Sequence, residues 1–544
     1  MTQCRKLTRP MVVVMTSTYN QLKEALNIPY NHIIHHEIIE GSDFYTIRNV
    51  ENVEYLICYL FKDSLQIAED ILKNHLGISN TVSIGVLIDS QMCILKVLRK
   101  SFRTGDFDYV ANFSSISPNF YMPPIDVSQL KPLDANVENV LFEIHSTIRD
   151  IDGLHAPEAL EEICKLIYTK LYDEENSEKT GVVKFQRNGT NSIEECAAKI
   201  RKLYSTAIDD DKAIFTNKIP TYERSRGVFK STLQLSSSAI VRAVEILQYF
   251  DMSGSPIDIK GRAFQNVLLP AVRSGMGQYF TPKEVIDFIV NLMRPNVRDM
   301  IIDPFCGSGH FLTSAIDYVY NNYKKADKLF HEFAFTRLHG IEKSDRMVRI
   351  AMTDMRLHGD GHSNIRCTDA LLPFSNYPDL HANTFDLVMT NPPFGIDLPS
   401  DSLHQIGPFE LITDGKHNIS FEILALERCI QLLKPGGRLA IVLPDGILSN
   451  KNTSYVRAWL TKHLSIRAIF SLPIETFSPF GTGIKTSILI LRKYLPTESV
   501  NTENSIFLAE IENVGYDAAG RPRESSDLEE LSLNFHKFIN TEGW

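Results

Sequence analysis

The chain of 544 residues contains no apolar run near the roughly 18 residues needed to cross a bilayer. Its longest early run, Met11-Val12-Val13-Val14-Met15 behind Arg5, Lys6 and Arg9, is too short for the core of a secretion signal. Eight cysteines are scattered without one C-x-x-C pair, which excludes a zinc ribbon and a disulfide framework and leads us to expect a reducing cytoplasm. Gly-x-x-x-x-Gly-Lys is missing, so no P-loop is present. Positive charge is also short. The net charge of −10 excludes a protein that holds a polyanion by bulk charge alone. Basic residues would have to be clustered, or a partner would have to supply them. Two clusters exist, Lys96 to Arg103 and Arg224, Arg226 and Lys230, and each also fits a solvated surface.

What remains is an ordinary globular composition, 43% apolar and 22% charged, in a length that suggests about three domains. Residues 1–130 mix helical and strand patterns. Val53 to Leu72 has the apolar spacing of a helix, and Val82 to Leu98 reads as a hairpin turning at Asp89-Ser90-Gln91. Pro118 to Pro132 reads as a linker. Residues 131–270 are mostly helical, with clear periodicity at Ala159 to Ile167 and Ser236 to Phe250, separated by a polar segment, Glu174 to Asn191, expected as a mobile loop. From 271 to 495 apolar strands alternate with helical stretches: Met300–Ile302, Leu338–Ile341, Phe385–Met389, Arg438–Leu443, Ile466–Ser471 and Thr486–Leu491. That rhythm predicts an α/β domain with a doubly wound sheet. The remainder, 496–544, should add a strand at Ile506–Glu510 and a helix from Asp527 to Ile539.

Several strand ends carry polar residues suited to a ligand. Ile301-Ile302-Asp303-Pro304-Phe305-Cys306-Gly307-Ser308-Gly309-His310 is a strand, a glycine-bearing turn and a helix start, where backbone can approach a ligand closely. Only Gly307 and Gly309 fit the dinucleotide fingerprint, and an ordinary strand–turn–helix fits equally. Glu342 ends the next strand, the usual place to bind ribose hydroxyls. Asp369, before Ala370, ends a third and could accept from an adenine amino group; either acid could instead cap a helix. Upstream, Gln278-Tyr279-Phe280-Thr281-Pro282 resembles a helix start with proline at its first position, whose N–H groups and hydroxyl could hold a carboxylate.

The sharpest feature is Asn391-Pro392-Pro393-Phe394, a rigid corner closing the apolar run Phe385 to Met389. Two prolines fix the backbone and donate nothing. The Asn391 amide oxygen and the Pro392 carbonyl could then accept the hydrogens of an exocyclic amino group, while Phe394 offers a face for stacking. A proline-rich turn ending a strand fits the same letters.

Taken in order, GQYFTP, DPFCGSGHFL, GIE, TDAL and NPPF resemble an amino-methyltransferase acting on adenine in DNA, and more closely the modification (M) subunit of type I restriction–modification systems. Asp258 to Phe264, Leu433 to Gly446, Phe477-Ser-Pro-Phe and Ala509 to Asp517 extend the resemblance over about residues 140–540. It implies a Rossmann-like methyltransferase domain at 271–495, preceded by a helical domain at 131–270 for DNA or partner contacts and followed by a docking strand and helix. It implies S-adenosylmethionine as cofactor, held by Gln278, Tyr279, Thr281, Asp303, Gly307, Ser308, Gly309, Glu342, Asp369 and Ala370. Asn391, Pro392, Pro393 and Phe394 would be catalytic, with Phe394 and Phe477 stacking on a flipped base. Positioning and electrostatics would supply the rate without a covalent intermediate or metal. The implied partners are double-stranded DNA and a separate specificity subunit, with room for a restriction subunit and none for a membrane.

Phe394 stands where many members carry tyrosine; stacking needs only the ring. Residues 1–130 are not typical of an M subunit and show no nuclease set, so their role stays open. Competing readings are a stand-alone adenine methyltransferase of another phage-defence system, a methyltransferase for RNA adenine or protein glutamine, and a non-enzymatic module that only senses the cofactor.

Overall fold

The computed structural model describes residues 18–544 apart from 24–25, 27–32, 40–41, 49–53, 61–64, 80–81, 83, 90–93, 101–105, 110–124, 134–136, 178–180, 188–192, 219–231, 256–259, 261–263, 265–279, 324–326, 360–363, 413–417 and 499–503. The chain divides into two compact units. The first takes Met1–Asp126, Gln186–Lys199 and Ile240–Gln248, and the second takes Val127–Phe185, Ile200–Ala239 and Tyr249–Trp544.

In the first unit a six-stranded sheet runs in sequence order: β1 (Ile33–Ile39), β2 (Ser42–Arg48), β3 (Glu54–Leu60), β4 (Ile84–Ile88), β5 (Ile94–Lys100) and β6 (Phe107–Tyr109). Successive residues face opposite sides, so Phe44, Ile57 and Tyr59 pack under helix α1 (Leu65–Ile78), while Tyr45, Ile47 and Cys58 pack on the other face. Val53 to Leu72 is therefore not one helix. Its first half is strand β3, whose aromatic and β-branched run pairs with β2 and β4, and only the second half turns helical. The expected hairpin forms as β4 and β5, antiparallel, with Ser90 and Gln91 of its turn outside the described residues. Two basic residues of β5 make structural contacts. Lys96 reaches buried Glu69 at 2.5 Å, and the Lys100 ammonium caps the end of α1 through the Leu76, Gly77 and Ser79 carbonyls. Arg224, Arg226 and Lys230 lie outside the described residues.

The second unit opens with helices α2 (Val137–Asp152) and α3 (Ala156–Ser177). The segment expected as a mobile loop is anchored at its start. Glu174 is buried, pairs with Lys170 at 2.7 Å and accepts the Met252 and Ser253 N–H groups, and Asp173 accepts those of Lys184 and Phe185. Within the expected linker, Lys131–Pro132 pairs in parallel with Phe250–Asp251; residues 118–124 are outside the described residues.

The main sheet of this unit has eight strands. To label them in chain order, the short pair just named is β7 and β8. Then come β9 (Ile301–Asp303), β10 (Leu338–Glu342), β11 (Ile365–Cys367) and β12 (Phe385–Thr390). A small hairpin follows, β13 (Asp397–Pro399) and β14 (Asn418–Ser420), and then β15 (Leu433–Pro444), β16 (Leu464–Ser471), β17 (Thr486–Lys493) and β18 (Phe507–Glu510). The order is β11-β10-β9-β12-β15-β17-β16-β18, with β17 alone antiparallel to both neighbours. Ile301, Leu387 and Met389 enter one buried cluster, and Ile302 and Val388 the other, so both faces are covered. The order reverses between β9 and β12, and the carboxyl ends of these strands are where a doubly wound sheet opens a crevice.

Four helices matter for that crevice: α4 (Lys283–Met293), α5 (His310–Asn322), α6 (Asp345–Leu357) and the closing α7 (Leu528–Glu542). α6 is tied to α3 by charge. Glu161 takes Arg346 at 3.3 Å and Arg349 at 2.7 Å, and Glu175 takes Arg356 at 2.6 Å.

Candidate active site

Asp303 and Asn391 are brought together by the pairing of β9 with β12, in which Val388 stands beside Ile302. Between the last residues of the two strands, the Thr390 hydroxyl donates to Asp303 Oδ1 at 2.5 Å. The Phe305 N–H donates to the same oxygen at 3.0 Å. The two bonds leave the second carboxylate oxygen for the cavity that Asp303 lines. Asp303 is 1% exposed, and no described cationic side chain pairs with it. Burial pushes its carboxyl up to about 7; the bonds from Thr390 and Phe305 oppose this, and the nearby Glu342 charge adds to it.

The cavity is a cleft open to solvent, about 410 Å³ with the solvent at its mouth included, and is lined by Phe280, Thr281, Ile286, Asp303, Phe305, Cys306, Gly307, Ser308, His310, Phe311, Met347 and Asn391. Gly307 has φ +51°, and a Cβ built there meets nothing within 4 Å, so the turn leaves open space beside its backbone. Gly309, expected in the same role, is not part of the lining. At φ +86° its added Cβ would stand 3.2 Å from that of Ala351, so this glycine lets α5 pack close against α6.

Glu342 sits behind the turn rather than in the lining. Its carboxylate accepts the Gly307 N–H at 3.1 Å and the Ser344 N–H at 2.7 Å, and burial raises its pKa. Asp369 is also outside the lining. It pairs with Lys343 at 2.9 Å and accepts the Leu371 N–H at 3.0 Å, ahead of buried Ala370. Gln278 and Tyr279 lie outside the described residues. Pro282 is the N-cap of α4 rather than its first helical residue, which leaves Thr281 just ahead of the helix.

At the proline corner, the Asn391 Nδ2 donates to Thr281 Oγ1 at 2.8 Å, while Oδ1 is buried with no partner. An unsatisfied buried acceptor is costly, and here it borders a cavity where a donor could arrive. Pro392 is buried and Pro393 exposed. Phe394 is 4% exposed and meets Phe477 edge to face, with ring centres 6.1 Å apart. Phe477, expected as a second stacking face, here makes that edge-to-face contact with Phe394. Phe477 is fully buried in the apolar core.

Sequence reasoning missed Thr390, Phe305 and His310. The only signal for Thr390 was a hydroxyl ending an apolar strand just before Asn391.

Comparison with known proteins adds three findings. Residues 258–542 match the family described as N-6 DNA Methylase. The chain is similar to the type I restriction enzyme EcoEI methylase subunit of Escherichia coli, 32% identical over 244 residues, covering 44% of this chain and 47% of that one. It is also similar to the EcoKI methylase subunit of Escherichia coli strain K12, 28% identical over 313 residues and 54% of each chain. The chain thus spans about half the length of these relatives. Among solved structures, a protein of a type I R-M system aligns with a TM-score of 0.54 at 19% identity, covering 74% of this chain and 82% of its own. The type I restriction-modification system methyltransferase subunit from Streptococcus thermophilus aligns at 0.52 and 18%, covering 74% and 93%. These two likenesses establish the methyltransferase fold.

Proposed function

The chain belongs to the N-6 DNA methylase family, and we propose that it transfers a methyl group from S-adenosylmethionine to the N6 amino group of adenine in DNA. The observation that carries this reading is the Asn391 amide. Its nitrogen is engaged by Thr281 and its oxygen is buried without a partner, beside a cavity floored by Asp303 and the Gly307 turn.

The residues present fit the cofactor. A buried carboxylate without a cation partner suits a cationic ligand, and the open space at Gly307 suits close approach of a ligand to the backbone. When bound, S-adenosylmethionine supplies a methyl group on a positively charged sulfur. Asp303, Gly307, Ser308 and Thr281 would hold its methionine portion. Glu342 would take the ribose, Asp369 and Ala370 the adenine ring, with Gln278 and Tyr279 alongside Thr281. Phe280, Phe305 and Phe311 give the cavity an apolar side against which the ligand could pack.

Asn391 Oδ1 and the Pro392 carbonyl would accept the two N6 hydrogens of a flipped adenine. That favours a tetrahedral nitrogen and frees a lone pair otherwise delocalised into the ring. Pro393 keeps the corner rigid. Phe394 would stack on the base, and Phe477 would move with it to open the slot; stacking offsets part of the cost of extrusion. The acidic net charge agrees with a protein that works with a separate specificity subunit, alongside a restriction subunit.

Single-molecule sequencing of DNA from cells with and without the gene tests the proposal. N6-methyladenine in one sequence context, lost on deletion and not restored by Asn391→Ala, is the expected result. Restoration by Asn391→Ala would refute the role of the corner, and unchanged DNA would refute the reaction. In vitro, Asn391→Ala should lower transfer at least about 100-fold while cofactor binding persists.

A further inference from the structure

Asn391 can accept from an amino group only when its oxygen, and not its NH2, faces the substrate. The two ends of a primary amide have nearly the same shape, and the terminal torsion is broad and two-fold. The proline corner fixes where the amide sits but not which way round it lies. One described side-chain contact distinguishes the ends: Nδ2 donates to Thr281 Oγ1 at 2.8 Å, and Oδ1 has no partner. Thr281 is itself held between buried Phe280 and Pro282, whose φ is −56° at the cap of α4.

A threonine hydroxyl has one hydrogen and can act as donor or acceptor. By itself it could satisfy either end of the amide. Once an anion takes that hydrogen, Oγ1 can only accept, and the amide must turn Nδ2 toward it. Thr281 and Asn391 line the same cavity, so a carboxylate bound there is placed to do this.

We infer that Thr281 is a positioning residue: when the cofactor's carboxylate engages its hydroxyl, Thr281 sets Asn391 with Oδ1 toward the adenine, so that cofactor binding prepares the substrate clamp. This rests on the function proposed above. It predicts a reciprocal coupling between the two ligands, with a size set by one hydrogen bond.

The test uses the full chain in the complex that methylates DNA, a duplex carrying the mapped site, and S-adenosylhomocysteine, which has the carboxylate but no methyl to transfer. Duplex affinity is measured by fluorescence anisotropy without this ligand and with it at saturation, as set by calorimetry for each variant. The wild-type complex should bind DNA about fivefold tighter with the ligand. Thr281→Ser should keep that ratio, and Thr281→Val should bring it near one. Single-turnover transfer at saturating cofactor should fall about fivefold in Thr281→Val and hold in Thr281→Ser. A ratio that survives in Thr281→Val overturns the inference, as does an equal loss in Thr281→Ser or a wild-type complex that methylates without coupling. A wild-type complex that binds the duplex and never methylates it counts against the proposed function instead.

Discussion

Cofactor affinity should depend on pH below neutrality, and the dependence should belong to Asp303. Moving this carboxyl from its ordinary 3.8 to about 7 means that ionising it in place costs about 4 kcal/mol more than in water, at 1.36 kcal/mol per unit. Burial is the main cause, and no described cation offsets it. A positively charged ligand requires the ionised form. Below pH 7 that form becomes about tenfold rarer per unit, so affinity should fall about 25-fold from pH 7.5 to 5.5. Binding at pH 6 should release close to one proton. The ligand's own α-amino group titrates near 7.7–8.0, largely above this window. Calorimetry in buffers of different ionisation enthalpy reads both the affinity and the proton. In Asp303→Asn the binding should be weak, flat with pH and free of proton release. A wild-type affinity that is constant from pH 5.5 to 7.5, or a proton release that persists in Asp303→Asn, would refute the reasoning.

Other outcomes follow from single contacts. Gly309→Ala combines φ +86° with a Cβ 3.2 Å from Ala351 and should cost about 1–3 kcal/mol, read as a lower denaturation midpoint. His358 is fully buried; burial opposes its charge, but Asp354 at 3.3 Å and Asp317 at 3.6 Å win and hold its pKa at about 9. His358→Ala should therefore destabilise by about 3–5 kcal/mol near pH 6 by leaving Asp354 buried and unpaired. Because the folded pKa lies above the unfolded one, this contribution is complete below pH 6.5 and is lost as pH rises through 9, so urea midpoints of wild type and variant should converge in alkali. Thr390→Val removes the bond at 2.5 Å to Asp303 and should move the pH dependence of cofactor affinity to higher pH, visible in the same calorimetry.

The strands of the methyltransferase sheet were legible because parallel strands buried on both faces read as short apolar runs, and their polar ends are where ligands meet them. Ile301–Asp303 and Phe385–Thr390 fall within a residue of expectation. What the sequence hid is pairing between distant residues. Thr390 finds Asp303 across 87 positions and Asn391 finds Thr281 across 110, and no periodicity records either. Val53 to Leu72 misled for another reason: its apolar residues satisfy a spacing of two as well as of three or four, and pairing with β2 and β4 decided. The edge-to-face meeting of Phe394 with Phe477 likewise left no periodic signal in the sequence.

That ring pair has a consequence for idle enzyme. Phe394 and Phe477 satisfy each other edge to face, a contact worth about 0.5–1.5 kcal/mol, whereas a base stacked on an aromatic gains about 1–3 kcal/mol. The margin is small beside the few kcal/mol that extruding a paired base costs. Under the proposed function, a base would have to take the place of Phe477 against Phe394, and contacts elsewhere along the duplex would tilt that exchange.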